Sequence, residues 1–147
     1  MRRVRGTTLG AILEGLAQGD VATKEKYSRH RLLSAFGNVC LAVDFAHERG
    51  VVHRDLKPGN VMIGDFGETL IVDWGLAKEL SEREDGTETR RMTRPPKGAN
   101  VRNARITLDG DVVGTPAYMA PEQAEGRTSQ VDERSDVFAL GAILYAM

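Results

Sequence analysis

Between His53 and Asn60 the chain reads His-Arg-Asp-Leu-Lys-Pro-Gly-Asn, which sets a carboxylate (Asp55), an ammonium (Lys57) and a carboxamide (Asn60) close together. A positioned carboxylate can accept a proton from a hydroxyl, and a lysine beside it can neutralise an anion. Two more carboxylates each precede an aromatic residue and a glycine, at Asp65-Phe66-Gly67 and Asp73-Trp74-Gly75. Carboxylates of this kind are natural ligands of hard cations.

The elements that must position these groups are legible from periodicity. Thr7 and Thr8 can cap a short helix with Leu9, Ile12, Leu13 and Leu16 on one face, ended by Gly19 and Asp20. From about Tyr27 to Glu48, Leu32, Leu33, Phe36, Val39, Cys40 and Val43 recur at helical spacing, and Gly50 supplies a stop. Val51 and Val52 lead into the His-Arg-Asp sequence. Asn60 to Ile63 and Thr69 to Val72 then read as two strands of a hairpin around Gly64-Asp65-Phe66-Gly67. Residues 79 to 113 lack an apolar period and pass from acidic (Glu79 to Glu88) to basic (Arg90 to Arg105), which predicts a long functional loop. Pro121 begins a short helix. Ser135 is expected to cap a final helix whose apolar run, Val137 to Met147, reads as buried.

At 147 residues the chain is long enough for one modest domain. With 20 Lys and Arg against 21 Asp and Glu, composition gives no reason to expect nucleic acid or an anionic membrane as a partner. The lone Cys40 cannot form an internal disulfide, and its place in a helical apolar pattern predicts a buried thiol in a reducing, cytoplasmic setting. The basic N-terminus has no apolar core behind it, so no signal peptide is expected, and the final apolar run is about half the length of a membrane span.

The stretch His53 to Asn60 resembles the catalytic loop of protein kinases, H-R-D-L-x-x-x-N, with Asn five residues after Asp. Gly114-Thr-Pro-Ala-Tyr-Met-Ala-Pro-Glu122 is similar to the end of a kinase activation segment, and Ser135-Asp-Val-Phe-Ala-Leu-Gly141 to the start of its central helix. The resemblance implies an α+β, protein-kinase-like fold: a mostly helical C-lobe with a small β-hairpin, the N-lobe and the end of the C-lobe missing. Residues 1–147 would be a partial kinase domain, with the hinge at about 1–6, the catalytic loop at 53–60, the activation segment at 73–122 and the central helix from 135 to 147. Lys57-Pro58, Gly114-Thr-Pro-x-Tyr and Asp73-Trp-Gly followed by Leu-Ala-Lys resemble bacterial, eukaryotic-like serine/threonine kinases. The implied activity is transfer of the γ-phosphoryl of ATP to Ser or Thr hydroxyls of a protein substrate. The fragment alone is expected to be weak or inactive, because the phosphate clamps of the upper lobe are missing.

By that resemblance Asp55 is the base, Lys57 sits near the γ-phosphate, Thr115 bonds toward both, and Asn60 and Asp73 hold Mg2+. Asp73 is chosen over Asp65 because it follows both strands, 18 residues beyond Asp55, whereas Asp65 falls in the hairpin turn. Trp74 replaces the usual Phe. The backbone of Arg2 and Val4 is expected to bond adenine, with an ordinary N-terminal strand as the alternative, and Val61, Met62 and Ile63 are candidates for the floor beneath it. Arg54 implies control by a phosphorylated loop, with Thr87, Thr89, Thr93 and above all Thr107 as candidate sites. His53 should pack beneath Trp74, and Asp136 should brace the His53-Arg54 backbone. Glu122 lacks the distant arginine it would pair with. His30 and His47 read as surface or packing residues without ligand spacing. The alternative is a non-catalytic fragment or pseudokinase that binds a protein partner. Oligomeric state is not legible.

Overall fold

The computed structural model describes residues 6–79 and 116–147. Two residues, Thr7–Thr8, form β1 and lead directly into α1, Leu9–Ala17, where the Thr8 hydroxyl accepts from the Ala11 N–H at 3.2 Å. A short α2, Val21–Lys26, follows, capped by the Asp20 carboxylate on Thr23 N at 2.9 Å. It has no periodic signature in the sequence, because none of its six residues is buried. The long α3, Arg29–His47, starts on the Ser28 hydroxyl and is followed by Gly50 at φ 71°, a left-handed turn that suits glycine.

Two small sheets complete the scaffold. Strands β3 (Val61–Ile63) and β4 (Thr69–Ile71) form the expected antiparallel hairpin, with Met62 opposite Leu70, and β1 adds to its other edge with Thr8 opposite Met62. That approach needs Gly6, since a Cβ there would lie 2.8 Å from the Ile63 carbonyl oxygen. Strand β2, Val51–Val52, pairs antiparallel with β5, Lys78–Glu79. The last helices are α4, Pro121–Ala124, and α5, Glu133–Ala146.

The core lies where α3 meets α1, α5 and the hairpin. Ile12, Leu32, Val39, Val43, Val61, Ile63 and Ile143 are buried there, each worth about 1.5–3 kcal/mol relative to exposure. On α3 the buried stripe is Leu32, Ala35, Val39 and Val43, while Phe36 and Cys40 are half-buried. Leu33, expected on that face, is exposed: residue 35, three beyond Leu32, takes the inward position instead.

Two expectations for the last helix are corrected. Its N-cap is Asp132, whose carboxylate accepts from Arg134 N at 2.9 Å, and Ser135 is a buried first-turn residue used in a tertiary contact. The run from Val137 is not wholly buried either. Ala139 and Ile143 face the core, whereas Val137, Phe138, Leu144 and Tyr145 lie on the other side of the helix and are exposed. No helix among the described residues is long and apolar enough to cross a membrane.

Candidate active site

The catalytic-loop sequence lies between β2 and β3, and its backbone is held by buried polar side chains rather than by a sheet. Asp136, 1% exposed on α5, is the main clamp: its carboxylate accepts from His53 N at 2.8 Å, Arg54 N at 2.8 Å and His47 Nε2 at 2.9 Å. Three donors compensate the desolvation that a lone buried carboxylate would suffer. The clamp also holds a special backbone. Arg54 sits at φ 70°, a left-handed conformation that a non-glycine residue keeps only when its surroundings over-determine it.

On that base the charged groups converge. The Lys57 ammonium lies 2.7 Å from the Asp55 carboxylate, and Asn60 Nδ2 donates to the Asp55 carbonyl at 2.8 Å and to its carboxylate at 3.1 Å. Asp55 and Lys57 keep 30% and 32% of their side-chain surface, so both remain reachable, whereas Asn60 is buried. With its amide nitrogen so engaged, the Asn60 Oδ1 is the acceptor end of the carboxamide.

His53 joins this loop to the segment before Asp73. Its Nδ1 accepts from Asp55 N at 3.3 Å, so Nε2 is the donor to the Val72 carbonyl at 3.3 Å, while Val72 N donates to the Asn60 carbonyl at 2.9 Å. The His53 and Trp74 rings meet in a T-shaped contact, with centroids 4.6 Å apart, and the Trp74 indole N–H donates to the Ile71 carbonyl at 3.1 Å. The larger ring's polar edge thus has a partner. Asp73 is exposed, at φ 64°, and begins the helical turn Trp74–Leu76.

The two Asp-aromatic-Gly sequences differ sharply in place. Asp65 lies in the hairpin turn, ion-paired with Lys26 of α2 at 2.8 Å, and Phe66 is 98% exposed. The Lys26 hydrogen bond holds the Asp65 carboxyl below its ordinary range. Arg31 pins the same turn through the Gly64 and Asp65 carbonyls, at 3.2 and 2.9 Å.

Of the adenine-floor candidates, Val61 and Ile63 are corrected: both point into the core, and strand alternation leaves Met62 alone half-exposed on the other face. Arg2 and Val4 lie outside the described residues, as do Thr115 and the candidate phosphosites Thr87, Thr89, Thr93 and Thr107. His30 is exposed on α3. His47, taken from sequence as surface or packing, is instead a partner of Asp136.

Glu122 accepts from the Ser135 hydroxyl, and that bond is the main reason its carboxyl lies below the ordinary range. The sequence assigned no role to Gln123. Its Nε2 donates to the Arg54 carbonyl at 2.7 Å and its Oε1 accepts from Ala120 N at 3.1 Å, which ties α4 to the catalytic loop.

No group of three or more His, Cys, Asp or Glu side chains suited to a metal occurs among the described residues. Asn60 and the exposed Asp73 carry oxygens of the type that a hard cation such as magnesium takes, with phosphate and water completing its shell.

The sequence pattern of the family described as the protein kinase domain matches residues 3–147. The serine/threonine-protein kinase PknD of Chlamydia pneumoniae is 37% identical over 150 residues, covering 100% of this chain and 15% of that protein. Its counterparts in Chlamydia trachomatis serovar L2b and Chlamydia muridarum are each 39% identical over 155 residues, covering 100% of this chain and 16% of theirs. The chain therefore spans about one-sixth of the length of these curated relatives.

Proposed function

Because this chain belongs to the protein kinase domain family, whose members use ATP and a divalent metal, we propose that the protein carrying it transfers the γ-phosphoryl group of ATP to Ser or Thr hydroxyls of a protein substrate. The observation that carries this reading is the Asp55–Lys57–Asn60 cluster, with 2.7 and 3.1 Å contacts, on a loop clamped by a buried carboxylate. Asp55 orients the acceptor hydroxyl and takes its proton as the oxygen attacks phosphorus and the bond to the leaving oxygen of ADP breaks. Lys57 neutralises charge on the transferred group while steadying the Asp55 carboxylate.

Asn60 Oδ1 and Asp73 are the proposed Mg2+ ligands. When bound, the cation supplies neutralisation of phosphate oxygens. The rest of the organisation belongs to the same proposal: a hinge at about residues 1–6 with the Arg2 and Val4 backbone at adenine, Met62 beneath it, Thr115 near Asp55 and Lys57, and an activation segment over 73–122. Specificity for Ser and Thr is supported by Lys57-Pro58 and by the names of the relatives.

A second reading, a protein-binding module without turnover, is favoured by one observation. An open apolar hollow of about 430 Å³ is lined by Phe45, Leu70, Ile71 and Trp74. The test is phosphotransfer to a Ser/Thr peptide by the full-length protein, with Asp55→Asn, and thermal melts with and without magnesium-ATP, with Asp73→Asn. Turnover abolished by Asp55→Asn, and a melt raised by magnesium-ATP in wild type but not in Asp73→Asn, support the kinase reading. Binding without turnover in wild type moves the assignment to the second.

A further inference from the structure

We propose that Gln123 is a positioning residue that fixes the peptide presenting Asp55 and makes its geometry depend on the seating of the segment just before α4; the inference rests on the reading of Asp55 as proton acceptor. The carbonyl of Arg54 and the N–H of Asp55 belong to one peptide unit. Gln123 Nε2 holds the oxygen pole of that unit at 2.7 Å, and His53 Nδ1 holds the hydrogen pole at 3.3 Å. Together with Asp136 on Arg54 N at 2.8 Å, these bonds enclose the left-handed Arg54, whose φ of 70° has no support of its own from residue type. Rotation of this peptide plane would change the torsion that aims the Asp55 carboxylate.

The Gln123 amide cannot turn freely, because its oxygen is taken by Ala120 N at 3.1 Å. Ala120 is 1% exposed and follows the turn Pro116–Tyr118. When that segment is seated, the Ala120 N–H fixes the amide with its NH2 toward Arg54. When it is not, the donor loses its orientation, and the Arg54 carbonyl loses a bond across 69 residues of sequence. Gln123 thus carries the state of the segment to the proton acceptor without touching either reactant, a short relay of polarised hydrogen bonds.

Gln123→Glu tests this directly. It keeps the acceptor for Ala120 but sets a carboxylate oxygen against the Arg54 carbonyl, with no proton between them. In the full-length protein kcat should fall about 10–100-fold near pH 7.5, the scale of a small misplacement of a reacting group, with KM for ATP within about 2-fold. As the pH is lowered toward about 6, a protonated carboxyl can again donate to Arg54, so the ratio of variant to wild-type kcat should rise by roughly 5-fold or more. Arg54, Asp55, Lys57, Tyr118 and Asp136, the titratable groups lining the same small cavity, are common to both proteins, so the ratio reports the change at residue 123.

Amide hydrogen exchange at Asp55 provides a readout independent of activity. It should quicken in Gln123→Glu and Gln123→Met and stay unchanged in Gln18→Glu, an exposed control at the C-cap of α1. If the Glu variant does not fold, the Met variant carries both the kcat and the exchange measurements. Unchanged exchange at Asp55 overturns the proposal, as does a kcat loss that neither recovers with acid nor separates from KM. A wild-type protein without phosphotransfer removes the kinase reading, and exchange alone then decides whether Gln123 holds this peptide.

Discussion

Replacing Asp136 by Asn keeps the shape of the side chain and removes one of its two acceptor oxygens. Oδ2 serves both His53 N and His47 Nε2, whereas Oδ1 serves Arg54 N alone, so the less costly arrangement puts the new NH2 at the Oδ1 position, facing the Arg54 N–H. One charge-assisted bond is lost, about 1.5–3 kcal/mol, and two donors then face each other. Relief of the desolvation of a carboxylate only 1% exposed offsets part of that. A net destabilisation of about 1.5–3 kcal/mol remains, or roughly 3–12 °C in Tm for a domain of this size. Circular dichroism melts of wild type, Asp136→Asn and Asp136→Ala measure it. The Ala variant should be worse, since it orphans two loop amides and His47. An Asn shift below about 2 °C, or an upward one, would show that the carboxylate is not what holds the left-handed Arg54.

Two further outcomes follow from charge and burial. The Asp65 carboxyl is held below its ordinary 3.8 by Lys26, so its contribution is present above that value and is lost as pH falls through the lower, folded one. Asp65→Asn should therefore differ most from wild type above about pH 4, and only slightly, because both partners are exposed; the small difference in denaturant midpoint should vanish in roughly 0.5 M salt. Burial pushes the Cys40 thiol up, so at about pH 8 alkylation in the folded protein should be several-fold slower than in the unfolded one; equal rates would contradict the half-buried placement.

What could be read ahead of the structure was what is local. The α1 cap at Thr8, the apolar period of α3 and the β3–β4 hairpin with its Gly-Asp-Phe-Gly turn are short-range features, and they follow from propensity and spacing. Counting two strands was enough to put Asp65 in the turn, where Phe66 now stands in solvent. Short polar α2 and the two-residue β1 and β5 left no such trace, because neighbours rather than periodicity hold them. Ser135 is a good cap by type, yet its hydroxyl is drawn to Glu122 across 13 residues, and Asp132 takes the cap. His47 and Gln123 find partners 89 and 69 residues away, which no local pattern announces.

Trp74 is the chain's one tryptophan. It stands beside Asp73, 37% exposed, with its ring 4.6 Å from that of His53. Within these 147 residues, ultraviolet emission excited at the red edge of protein absorption therefore comes from a single point, next to a proposed cation ligand and a ring that accepts from the amide of Asp55, the proposed proton acceptor. This stretch carries its own optical label, and wavelength and quenching in it can follow the carboxylate loop without any dye or engineered probe.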